Sequence, residues 1–172
     1  MAFLNALSAT EALRRFVNCG GSSRWADRMV RSRPFASAGE LFASADRAWE
    51  DLDDSDWLEA FRSHPRIGEG PPAAASVPER SSTWAAKEQS GVQQAAASIR
   101  TALDEGNRLY EARFGHIFIV CATGKMADEM LLDLRARLMN NPAIELHVAA
   151  REQRLIAALR LERLLAEPRS KD

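Results

Sequence analysis

Cysteine is nearly absent from this 172-residue chain: Cys19 and Cys121 are its only two. They are too few for a disulfide framework and lack the CxxC or Cys/His spacing of a metal site, so a reducing, cytosolic setting with no bound metal is expected. No stretch approaches the ~20 apolar residues of a membrane span. The opening Met1 to Leu7 has neither the basic segment nor the apolar run of a signal peptide. The chain is therefore expected to be soluble and to have no membrane partner. Neither sign of charge dominates, with 23 Lys plus Arg against 24 Asp plus Glu. That balance offers no field for gripping a phosphate backbone, which excludes nucleic acid as an expected partner. Strand-forming runs are scarce as well. Ile117 to Cys121 is apolar and β-prone, but no second run exists to pair with it, so it reads as buried extended chain.

Helix punctuation, by contrast, is abundant. Ser8 with Glu11 and Ser37 with Glu40 read as capping boxes, predicting helices over about 9–18 and 38–51. Gly20 and Gly21 stop the first of these. Ser23 is expected to cap a second helix running through Trp25 and Met29 until Pro34 ends it. A helix around Ser55 to Phe61 must finish by His64, because Pro65 drives the residue before it out of the α region. The stretch from Pro65 to Pro78, rich in Gly, Pro and Ala, reads as a long loop of the kind that often carries function. Apolar residues spaced near 3.6 from Val92 to about Arg113 predict a further helix that Gly106 would bend. Two more close the chain, about 125–139 and 142–166, the last with Asn141 as cap and Pro142 in its first position. With 46% hydrophobic residues, the length suits one core. The expected architecture is all-α, a compact single-domain bundle of about eight helices over residues 1–172, with a frayed tail at about 168–172.

Three histidines, His64, His116 and His147, are too scattered for a ligand set. His64 is the best general acid or base, since imidazole titrates near neutrality and a proline neighbour would fix its ring. On local sequence alone the commoner reading is a surface loop histidine. Glu88, beside an amide in Gln89, could hold a urea-like ligand or be a solvated carboxylate. Arg160 lies one turn from Ile156, Ala157 and Leu164, beside an apolar face, and a buried guanidinium needs an anionic partner. A structural Asp or Glu and a substrate carboxylate both satisfy that need. Trp84 is a reasonable pocket wall near Glu88, whereas Trp25, Trp49 and Trp57 fall in predicted helices and read as core. Gly124-Lys125 is not a nucleotide loop, because Ile119 stands where the first glycine of GxxxxGK belongs.

Taken in order, several segments resemble the 2-oxo-4-hydroxy-4-carboxy-5-ureidoimidazoline (OHCU) decarboxylases, which form (S)-allantoin in urate breakdown. They are Arg24-Trp25-Ala26 with Arg33-Pro34-Phe35, Ser63 to Gly68, Glu88-Gln89, Tyr110 to Gly115, Phe118 to Lys125, and Leu159-Arg160-Leu161. The resemblance implies an all-helical homodimer that uses no cofactor. It implies His64 as the catalytic histidine, Pro65 as the residue packed beside the ligand ring, and Glu88 and Arg160 as the polar groups holding substrate. It also implies substrate contacts from the backbone at Ile119, Val120 and Cys121. One position departs: Ala85 stands where the family commonly has serine, with Ser81 and Ser82 nearby. A helical interaction module without catalysis is the rival reading, and it requires no pocket joining these side chains.

Overall fold

The computed structural model describes residues 1–67, Trp84 and residues 97–166. Eight helices and no strand occur among them: α1 Ala2–Ala6, α2 Ala9–Gly20, α3 Ser23–Arg31, α4 Ala38–Glu50, α5 Asp54–Arg62, α6 Ala97–Phe114, α7 Ala127–Arg137 and α8 Pro142–Ala166. The all-α expectation holds. No helix among the described residues is long and apolar enough to cross a membrane.

The capping chemistry read from the sequence is largely present. The Ser8 hydroxyl accepts from Glu11 N–H and the Ser37 hydroxyl from Glu40 N–H, and Asn141 Oδ1 accepts from Ala143 N–H at 3.0 Å. Each satisfies a first-turn amide that has no carbonyl partner in its own helix. Ser22, not Ser23, caps α3, accepting from Trp25 N–H at 3.2 Å. Ser23 is instead the first helical residue, and its hydroxyl donates to Glu59 at 2.6 Å. α1 was not foreseen. Its five residues carry no side-chain cap and are held by tertiary bonds: Asn5 exchanges two hydrogen bonds with the Phe35 backbone.

The chain divides into two compact units. The first comprises Met1–Glu59 and the described residues from Arg154 on. Here α2 packs on α3 and α3 on α4, with Phe16 and Trp25 edge to face at 6.2 Å and the Trp25 indole donating to Ala45 O at 3.0 Å. Phe35, Leu41, Trp49, Ile156 and Leu161 are buried. Two segments that carried the family resemblance are structural here. Arg24 pairs with Asp53 and Asp56, and Arg33 donates to Leu7 O at 2.7 Å.

The second unit is Ala60–Gln153. α6 packs on α7 around Leu103, Tyr110, Met130 and Leu134, joined by Ile67, Phe118 and Val120. α6 is helical without a break from Ala97 through Gly106 to Phe114. The lack of a side chain at Gly106 serves packing, since a Cβ there would lie 2.5 Å from Leu134 Cδ2. α6 ends at Gly115, whose φ of 75° turns the chain out of the helix.

Candidate active site

His64 sits just beyond α5, half-buried, in a short exit pinned at both ends. Its N–H donates to Phe61 O at 3.1 Å, closing the last turn before Pro65 blocks further helix. Upstream, Phe61 is buried and its ring lies 5.1 Å from that of His116. Downstream, Ile67 is buried in the α6–α7 core and its carbonyl accepts from Asn107 Nδ2 at 2.8 Å. Arg66 adds a forked ion pair to Glu111 on α6, with Nη2 to Oε2 at 2.9 Å. These contacts hold the chain on both sides of His64. The sequence reading placed His64 at a helix exit; the anchors across to α6 and His116 are additions from the tertiary structure.

The run after Gly115 solves a backbone problem. Phe118, Ile119 and Val120 are buried in a stretch that forms neither helix nor strand, so their peptide groups need partners from elsewhere. Arg137 Nη1 donates to Ile119 O at 2.7 Å, and Cys121 N–H donates to Glu152 Oε2 at 2.7 Å. Behind Arg137 lies a fully enclosed carboxylate: Glu145 accepts from Arg137 Nε at 2.7 Å, from Asn140 Nδ2 at 2.7 Å and from the Tyr110 hydroxyl. Burial pushes the Tyr110 phenol far above its ordinary range, and Glu145 adds to this against the opposing charge of Arg137. Tyr110 therefore stays a neutral donor. Burial likewise lowers the pKa of His116, outweighing its hydrogen bond with Ile117 O and the pull of Glu145. His116 is thus biased toward its neutral form, its ring packed among Phe61, Tyr110 and Phe114.

Arg160 belongs to the first unit, on α8, and is completely buried; Nη1 lies 3.4 Å from Asn18 O. The burial predicted from its spacing is present. Trp84 is helical and half-buried. Glu88 and Ala85 lie outside the described residues. A groove of about 630 Å³ on the first unit, lined by Arg24, Arg28, Arg31, Arg47, Asp27 and Asp51 among others, contains none of the expected site residues. Its arginines pair with aspartates on the same face, Arg28 with Asp51 and Arg31 with Asp27. No grouping of His, Cys, Asp or Glu suited to a metal occurs among the described residues. Sequence reading missed Arg137, Glu145 and Glu152, because their separations from residues 119–121 follow no helical or strand period. The sole hint was an apolar run with no strand to pair with.

As a class, this is an all-α chain with a half-buried histidine on a helix exit held by backbone contacts on both sides. The comparisons narrow that class. The OHCU decarboxylase family model matches residues 5–162, and the chain belongs to that family. A uric acid degradation bifunctional protein of Arabidopsis thaliana is 38% identical over 156 residues, covering 87% of this chain and 46% of that protein. The chain thus spans about half the length of that relative. A 2-oxo-4-hydroxy-4-carboxy-5-ureidoimidazoline decarboxylase of Amia calva is 30% identical over 98% of this chain and 95% of its own length. The crystal structure of an OHCU decarboxylase in the presence of (S)-allantoin superposes with a TM-score of 0.76 at 37% identity, covering 88% of this chain and 97% of the other.

Proposed function

We propose that this chain is a decarboxylase converting 2-oxo-4-hydroxy-4-carboxy-5-ureidoimidazoline to (S)-allantoin in urate breakdown, with no organic or metal cofactor. The observation that carries the reading is the braced His64–Pro65 exit, in a chain that matches the family from residue 5 to 162. The substrate's own chemistry explains why no cofactor is needed. Loss of carbon dioxide leaves an electron pair on ring carbon 4, a burden usually carried by a dedicated electron sink. Here the pair passes into the adjacent unsaturation of the heterocycle, the hydroxyl on the same carbon gives up its proton to become a carbonyl, and the ring takes up two protons, one on the nitrogen that received the pair and one on the neighbouring carbon.

His64 moves those protons, and delivery to one face sets the chirality of the product. Arg160 meets the anionic part of the ligand, and Glu88 holds the ureido side. Pro65 and Trp84 lie against the ring, and the backbone from Ile119 to Cys121, held at the Ile119 C=O and the Cys121 N–H, supplies hydrogen bonds through Val120. In this reading the protein acts as a cytosolic homodimer. Sedimentation at micromolar concentration checks this, and a strictly monomeric chain would remove the dimer from the reading.

The deciding experiment supplies freshly generated urate-oxidation product and follows allantoin by circular dichroism. Excess (S)-allantoin formed faster than in buffer supports the decarboxylase. Racemic product at the buffer rate favours the non-catalytic interaction module.

A further inference from the structure

The partners of residues 119–121 are more than a means of satisfying buried peptide groups. Neutral side chains or water would do that, whereas here two opposite charges from two helices are used: Arg137 at the end of α7 and Glu152 on α8. Both bonds are charge-assisted and short, 2.7 Å each. Arg137 has little freedom to drift. Glu145 holds its Nε, the Tyr110 hydroxyl accepts from Nη2 at 3.2 Å, and its guanidinium lies over the Phe118 ring at 4.6 Å. A planar guanidinium held on this many contacts sets direction as well as distance.

The two bonds fall on successive peptides. Holding Ile119 C=O fixes the plane of the 119–120 peptide, and holding Cys121 N–H fixes that of the 120–121 peptide, because each peptide is rigid. The bonds to Arg137 and Glu152 engage the Ile119 C=O and the Cys121 N–H. The N–H and C=O of Val120, which belong to the same two peptides, take part in neither bond and are a donor and an acceptor side by side. That pair complements the N–H and C=O of a ureide or lactam.

We infer that Arg137 and Glu152 form a two-point clamp that orients this backbone edge for a ureide ligand, making both of them positioning residues. The clamp rests on the functional reading above, in which this backbone meets the substrate. Its effect is on binding: a loosened edge raises KM while His64 chemistry, and so kcat, is largely retained.

The test measures kcat and KM on freshly generated substrate, with urea unfolding as the fold control. Glu152→Ala removes one clamp point, and KM should rise about tenfold, the usual worth of one such hydrogen bond, with kcat within about threefold. Glu152→Gln keeps an oxygen that accepts from Cys121 N–H, and it should bring KM back to within about threefold of wild type. The paired change Arg137→Met with Glu145→Gln, which removes the other point without stranding a buried charge, should raise KM similarly. An unchanged KM with lowered stability in Glu152→Ala and in the paired variant would make the contacts purely structural and overturn the clamp. A lowered KM in Glu152→Ala would mean that Glu152 competes with substrate for the Cys121 amide, and also overturns it. Wild-type protein without turnover sinks the functional reading and the clamp together, whereas turnover with wild-type KM in the variants sinks the clamp alone.

Discussion

Replacing Arg137 by Met is the sharpest test of how the second unit is held together. Glu145 has no exposed surface, and loss of its guanidinium partner leaves a buried carboxylate with two neutral donors, Tyr110 and Asn140. Breaking such a pair from one side typically costs about 3–5 kcal/mol, most of it the uncompensated charge. The lost donor to Ile119 O falls within the same range, so about 4 kcal/mol is expected, a large share of the ~5–15 kcal/mol that holds a domain folded. Adding Glu145→Gln removes the stranded charge and keeps an acceptor for Tyr110, leaving only lost hydrogen bonds of roughly 1–2 kcal/mol. The double variant should therefore be more stable than Arg137→Met alone, with a coupling of at least ~1.5 kcal/mol. Urea unfolding followed by tryptophan fluorescence, single against double, gives both stabilities. A double variant no more stable than the single one refutes the buried-pair account.

Other outcomes follow from the same structure. His64→Ala should lower turnover by about 100- to 10,000-fold while unfolding stays cooperative, and wild-type-like rates would remove His64 from the chemistry. Arg160→Ala should raise KM and lower kcat together through loss of a charged contact; if stability falls and both constants stay put, Arg160 is structural. Gly106→Ala sets a helix-propensity gain of about 1 kcal/mol against crowding of Leu134 worth about 1–3 kcal/mol. A net loss is expected on urea titration, and net stabilisation would show that Leu134 yields easily. His116 is held with a lowered pKa, so the unfolded chain takes up a proton first, near pH 6.5. Its stabilising contribution is full above that value and declines as pH falls through it toward the folded pKa, by at most ~1.4 kcal/mol per pH unit. His116→Phe should flatten that slope between pH 7.5 and 5.5; an unchanged slope assigns it to other groups.

Local signals in the sequence determined the helices, because caps, proline stops and a 3.6-residue period act within a few residues of one another. Ser8, Ser37, Asn141 and Pro142 mark helix starts that the structure reproduces, and the exit of α5 before Pro65 follows from backbone sterics alone. The spacing around Arg160 was enough to foresee its burial, and the lone apolar run at 117–121 was legible as a segment without a strand partner. What took that partner's place was decided only in three dimensions. Arg137 and Glu152 meet the run from 18 and 31 residues away, where no periodicity links donor to acceptor. Gly106 likewise reads as a bend from its own neighbours and becomes a close-packing site only once Leu134 of α7 is laid against it. Short-range rules thus specify which segments coil, while the pairing of buried charges and peptide groups depends on how those helices pack.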